Sequence, residues 1–163
     1  MGNKQEKRLA AEFNDILLII APLTVTYSAP QASAILKAIA VKLGRKCTTV
    51  DFNAITLHWM TKFPQKQFVS LKNFFLHGTT SDRTQLDVDQ WLSNLITIVE
   101  QHQPKILAIS VFSDDCRTAT QLMCQHMRTH MPHVKKLKYK YISDSTYHWL
   151  LANDIDGVID SEH

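Results

Sequence analysis

The chain has 163 residues, 45% of them hydrophobic and 20% charged, with a formal net charge of +3. This length and composition suit one globular domain that can bury a sizeable core, and so small a charge gives no ground for a nucleic-acid partner. The cysteines Cys47, Cys116 and Cys124 are odd in number, widely spaced and without a CxxC pair. They argue against a disulfide framework and a zinc ribbon and fit a reducing, cytoplasmic setting.

Residues 1–13 are polar and charged, with Leu9, Ala10 and Phe13 as the apolar anchors, and read as a tail or short helix. Residues 14–163 read as a single α/β domain. Ile16 to Leu23 is the longest apolar run and is far too short to span a bilayer, so no membrane partner is expected. Lys4, Lys7 and Arg8 precede it as they would in a secretory leader, but Glu6, Glu12 and Asp15 share the region and no cleavage site follows. Gly2 would allow myristoylation, but Glu6 stands where Ser or Thr is wanted.

The run Asp15 to Ala21 is continuous, apolar and rich in β-branched residues, as a strand buried on both faces requires. Pro22 ends it. The loop 22–29 leads to Pro30, which suits a first helical turn because its missing N–H would have no partner there. Ala32, Leu36, Ile39, Ala40 and Leu43 recur at helical spacing, and Gly44 is placed as a C-terminal stop. Lys46 to Phe52 is a second strand. Strand, helix and strand with short connections make a βαβ unit, which implies parallel strands.

Residues 53–86 form an aromatic-rich insertion in which Trp59, Phe63, Phe68, Phe74 and Phe75 fall among polar residues. Two short helices are expected here, then a loop over 77–82. Val88, Trp91, Leu92, Leu95, Val99 and His102 trace the stripe of the next helix, with Asp87 as N-cap and Gln90 completing a capping box. Lys105 to Phe112 is the third strand. Ser113 to Asp115 starts a helix whose stripe is Ala119, Leu122, Met123 and Met127, closed by Pro132. The fourth strand runs from Val134 to Ile142, a short helix from Asp144 to Leu151, and a fifth strand from Ile155 to Ile159. The fold class expected is α/β: a doubly wound five-stranded parallel sheet, flavodoxin-like or Rossmann-like, in the order 2-1-3-4-5. Ligands of such folds sit outside the carboxyl ends of the strands, at the switch between strands one and three.

The four glycines, Gly2, Gly44, Gly78 and Gly157, build neither GxGxxG nor a P-loop, which argues against nucleotide binding through those motifs. The loop residues Thr24, Thr26, Tyr27 and Ser28 offer hydroxyls ahead of a helix N-terminus, where a polar ligand group can sit or the groups can simply cap and solvate. His126 and His130 are spaced i, i+4 on a helix, with His133 just beyond. A metalloprotease helix would carry Glu after the first His, but Met127 stands there, and histidines near a helix C-terminus also complement its dipole. No resident metal is expected. Asp114 and Asp115 read as helix caps. A receiver-type site would need acids after strand one and an Asp ending strand three, and Ala21-Pro22 and Phe112-Ser113 occupy those places. Cys116 near a helix N-terminus could act as a nucleophile. The run Lys135, Lys136, Lys138 and Lys140 alternates with apolar residues, as on a solvated outer strand.

The order of these features resembles the B12-binding domain at the N-terminus of radical SAM enzymes. Pro22, Pro30, Leu43, Gly44, Asp51 and Asn53 stand where that family has a strand ending in Pro, a second Pro opening a helix that closes in Leu-Gly, and a strand ending in Asp with a nearby Asn. Residues 104–132 are similar to its third strand and helix, and Asp156, Gly157, Val158, Ile159 and Glu162 to its closing segment. The resemblance covers residues 14–52 and 104–163. It implies a cobalamin-binding-like module working beside a radical SAM catalytic domain or another protein. Its cofactor contacts would come from Thr24, Thr26, Tyr27, Ser28, Asp51, Asn53, Ser113, Asp114, Tyr141, Ser143, Asp144 and Glu162. Departures from the family point to weakened or lost cofactor binding. Tyr141-Ile-Ser-Asp144 replaces a Gly-Gly that would let the cobalamin tail lie against backbone, and DxHxxG is absent. The CxxxCxxC of the iron–sulfur cluster is also absent, so no such cluster and no self-sufficient enzyme is expected. A degenerate domain acting as a protein-interaction or regulatory module is the second reading, and a small-molecule enzyme using Cys116 the third.

Overall fold

A computed structural model describes residues 14–23, 31–140 and 157–160. The expectations for the tail, the loop 24–30, the helix over 144–151 and the residues after Asp160 lie outside those described. In chain order the elements are β1 (Ile16–Ile20), α1 (Gln31–Lys42), β2 (Cys47–Val50), α2 (Phe52–Met60), α3 (Gln65–His77) and α4 (Asp82–His102). They continue with β3 (Ile106–Val111), a 3₁₀ turn (Asp114–Cys116), α5 (Arg117–His130), β4 (Lys135–Lys140) and β5 (Gly157–Asp160).

β1 lies between β2 and β3 and is parallel to both, with Leu18 beside Thr49 on one side and Ala108 on the other. The apolar run of the sequence thus takes the central position, where both faces are covered. The main chain of β4 runs parallel beside β3, and that of β5 beside β4. Side chains alternate between the two faces of the sheet. Leu17, Ile19, Leu107, Ile109 and Val111 enter the large core, which they share with α2, α3, α4 and α5. Leu18 and Cys47 face the other way and meet Ala40 of α1 in a much smaller cluster. Helices therefore cover both faces, and the chain is an α/β protein with a parallel sheet.

Gly44 ends α1 as its placement requires. Its φ is 73°. Its N–H reaches the Val41 carbonyl at 2.9 Å, and the Arg45 N–H reaches the Ala40 carbonyl at 2.9 Å. These two bonds are the Schellman pattern, which satisfies carbonyls a helix end leaves over. α1 itself is thinly covered: Ser33 and Ala40 are buried, whereas Ile35, Ile39, Val41 and Leu43 are all at least half exposed.

The aromatic insertion forms two helices as expected; its Phe74 and Phe75 enter the core, and Trp59, Phe63 and Phe68 pack half-buried against it. Phe52 stacks on Trp91 at a centroid distance of 5.3 Å, and Phe75 meets the same indole edge-on at 4.9 Å. The buried indole N–H donates to Thr56 Oγ1 at 2.8 Å, and that hydroxyl donates to the Phe52 carbonyl at 2.6 Å. This relay satisfies every polar group it brings into the interior.

Three local expectations are corrected. Asp87 is not an N-cap. α4 begins at Asp82, and Ser81 caps it by accepting from the Thr84 N–H at 3.3 Å. Asp87 lies a turn and a half inside the helix, buried, where it accepts from Gln67 Nε2 and stands 3.6 Å from Arg83 Nε. The second strand stops at Val50, because Asp51 turns the chain and caps α2 through the Ala54 N–H at 2.8 Å. Asp114 and Asp115 are not caps either. Ser113 precedes the 3₁₀ turn and Cys116 precedes α5, neither with a side-chain cap bond. The two carboxylates sit in the first turn, where negative charge favours the exposed N–H groups.

Candidate functional site

The carboxyl ends of β1 and β3 meet at the end of the sheet where the sequence reading expects a ligand. Past β1 the chain continues through Ala21, Pro22 and Leu23, and Ala21 donates its N–H to the Ser110 carbonyl of β3 at 3.0 Å. Past β3, the Cys116 N–H bonds the Ser113 carbonyl at 3.1 Å and tightens the turn into α5. The turn aims the Cys116 thiol back at the first strand, where it donates to the Ala21 carbonyl at 3.5 Å and the Leu23 carbonyl at 3.7 Å. Ala21, Leu23, Val111 and Cys116 all belong to the large core cluster, and Cys116 is fully buried. Thr120 anchors the turn from the next helical level, its hydroxyl donating to the Cys116 carbonyl at 2.6 Å. In its described part, therefore, the junction of β1 and β3 is packed with protein.

The expected contact residues divide as follows. Ser113, half-buried, and Asp114, exposed, stand together at the end of β3. Asp51 and Asn53 stand past the end of β2 at the start of α2. Asp51 spends one carboxylate oxygen on its capping bond, and Asn53 is half-buried in the first turn. Thr24, Thr26, Tyr27, Ser28, Tyr141, Ser143, Asp144 and Glu162 lie outside the described residues. Cys116, read as a possible nucleophile, has no exposed surface from which to attack a substrate.

A cleft of about 930 Å³ opens at the opposite end of the sheet, at the amino ends of β1 and β3, with Asn14, Asp15, Glu100, Lys105, Met131 and His133 in its wall. No sequence motif marks it, since its wall comes from three separate stretches of chain. The polar groups there largely hold one another. Asn14 is buried, donates through Nδ2 to the His102 carbonyl at 3.2 Å, and accepts from Thr48 Oγ1 at 2.7 Å. Asp15 accepts from the Lys46 N–H at 3.0 Å and from Lys105 Nζ at 3.3 Å. The Lys46 amide first, and the Lys105 ammonium second, hold the Asp15 carboxyl below its ordinary pKa. These bonds tie β1 to β2, α4 and β3, and the wall reads as a seam between elements.

Among the described residues two other titratable groups depart from their ordinary values. Burial pushes the Cys47 thiol up, with Lys37 opposing. Burial and the neighbouring His130 push His126 down, with Asp89 opposing. Among the described residues no group of three or more His, Cys, Asp or Glu side chains is arranged to hold a metal ion, and no helix is long and apolar enough to cross a membrane.

Fold and junction together define an α/β chain with a parallel sheet whose switch point, where described, is filled by its own side chains. Comparison with models of known families, with curated proteins and with solved structures found no match for this chain.

Proposed function

We propose that this chain is a cobalamin-binding-like α/β module whose own cofactor binding is weakened or lost, and that it works through contact with another protein, with no self-sufficient catalysis. The observation that carries this reading is the packing of the switch junction. Cys116 and Leu23 are buried past the carboxyl ends of β3 and β1, the end at which doubly wound sheets bind their ligands. A built ligand site is concave and largely preformed. Here the described part of the junction is filled by core packing, with the Cys116 thiol bonded to the Ala21 and Leu23 carbonyls.

We read the sheet as doubly wound and flavodoxin-like, with five strands in the order 2-1-3-4-5, and the scattered cysteines as the mark of a cytoplasmic protein. The partner is a radical SAM catalytic domain or another protein that supplies what this chain lacks.

The test is a titration of the purified chain with hydroxocobalamin, followed through the visible spectrum and by equilibrium dialysis. The reading predicts no saturable binding below about micromolar ligand, the range in which a site worth roughly 8 kcal/mol would fill. A dissociation constant well below micromolar would show that the junction opens to the cofactor and would restore the full cobalamin-binding role.

A further inference from the structure

The two faces of the sheet are covered unequally. α2, α3, α4 and α5 all share the large core, whereas the cluster on the other face draws, among the described residues, on α1 alone of the helices. α1 leaves part of its apolar surface unused there. Leu36 packs half-buried against the cluster, while Ile35, Ile39 and Leu43 beside it are 57%, 50% and 72% exposed. These three are spaced i, i+4, i+8 and so line one strip of about two turns, and Leu36 adjoins it through its i+3 and i+7 neighbours Ile39 and Leu43. The strip therefore climbs the flank of α1 from the sheet toward solvent. Ala108 of β3, also half-buried, packs on the same cluster. An apolar helix flank beside a half-covered sheet face has the shape that an adjacent helix fills in a doubly wound fold.

Charge selects the occupant. From Gln31 to Lys46 the sequence holds Lys37, Lys42, Arg45 and Lys46 and no Asp or Glu, and all four cations are exposed. A second copy docked through the same strip would bring like charges together, because a two-fold contact pairs a patch with itself. Residues 1–13 carry Lys4, Lys7 and Arg8 against Glu6 and Glu12, so the chain's own tail brings no excess of negative charge. A bilayer would meet the side of α1 opposite the buried Ser33 and Ala40, and by the helical repeat Ala38 and Lys42 stand on that side, both exposed. The apolar strip lies on the flank, where a helix reaches it and a flat surface does not.

We infer that the Ile35, Ile39 and Leu43 flank of α1 is the docking surface for an amphipathic helix of a partner protein, one whose apolar stripe is edged by Asp or Glu. The stripe would lie along the strip, and the carboxylates would meet Lys42 and Arg45 at its rim. The inference rests on the reading that the chain works through another protein, and it names the chemistry of that partner. It uses no residue of the junction between β1 and β3. Tight cobalamin binding would therefore overturn the lost-cofactor reading and leave this surface standing, and failure of the experiment below would remove this surface and leave the junction as it is.

The test is fluorescence anisotropy with two labelled amphipathic peptides of about 16 residues, long enough to form a helix. Both carry the same stripe of leucines, edged by Glu in one and by Lys in the other. The parent chain is compared with Ile39→Glu and Lys42→Glu, each confirmed as folded by circular dichroism. The parent should bind the acidic peptide saturably and more weakly as salt is raised. Ile39→Glu should lose about tenfold or more in affinity, the loss expected of a residue central to an interface. Lys42→Glu should weaken the acidic peptide and strengthen the basic one. No binding of the acidic peptide, or equal binding of the two, overturns the inference. Three further results overturn it by naming another occupant. A parent dimer by sedimentation equilibrium that Ile39→Glu dissociates would name a second copy. Binding to phosphatidylserine vesicles that Ile39→Glu abolishes would name a membrane. A urea midpoint for Ile39→Glu far below the parent's would name a segment of the chain itself.

Discussion

Thr56 shows how one side chain can decide the fate of a buried polar group. Its hydroxyl serves the Trp91 indole N–H and the Phe52 carbonyl at once, in a part of the core with no access to water. Thr56→Val keeps the shape and removes the acceptor, leaving the indole N–H buried without a partner. Urea unfolding should register a loss of about 1–3 kcal/mol for this variant, and clearly less for Thr56→Ser, which retains the hydroxyl. Equal losses for both would mean that the methyl group matters and the relay does not. Asp15 makes a prediction of another kind. Its carboxyl is held below the ordinary value of 3.8 by the Lys46 N–H and Lys105. A carboxylate depressed in the folded state contributes stability that is present above its unfolded pKa and is lost as pH falls through the folded one. The parent chain should therefore lose stability below about pH 4 more steeply than Asp15→Asn, and parallel acid-unfolding curves for the two would exclude this contribution.

At the scale of elements the two faces of the sheet carry unequal weight. Leu18 and Ile109 are both buried strand residues, one in the small cluster under α1 and the other in the large cluster under α4 and α5. Either changed to Ala should cost about 2–5 kcal/mol, with Ile109 the costlier because its larger, better-packed surroundings collapse less onto the void. Ile35 or Ile39 of α1 changed to Ala should cost under about 0.5 kcal/mol beyond helix propensity, since both are at least half exposed. Denaturant midpoints measure all four, and a large loss at Ile35 would show that α1 is covered. The elements themselves were readable where one signal dominates. The β-branched run Ile16 to Ile20 reads as a buried strand, and Gly44 after a helical stripe reads as its stop. Asp87 was misread because Asp and Gln three apart mimic a capping box, while the true cap, Ser81 with Thr84, lies six residues earlier. The helical stripe alone does not say how far a helix extends beyond its first large apolar residue.

Across the whole molecule, the sheet's parallel core and its covering helices were legible in the order of apolar runs and helical stripes. The state of the switch junction was not. Cys116 meets Ala21 and Leu23 across 95 and 93 residues of sequence. In the sequence it is a cysteine near a helix start, where it reads as a possible nucleophile. Only the turn over Asp114–Cys116 decides, by aiming the thiol inward. The cleft at the opposite end was likewise invisible, because its wall draws on separated stretches with no shared motif. Among the described residues Cys116 packs the junction between β1 and β3, and the reactivity of its thiol reports on that packing. All three cysteines are free and buried, so C47S/C124S leaves Cys116 as the sole reporter. With that variant shown to be folded, Ellman's reagent at neutral pH should find no rapidly reacting thiol in the native protein and one per chain after denaturation. Prompt native-state reaction of Cys116, at the rate of the denatured chain, would mean an open junction and would contradict the account.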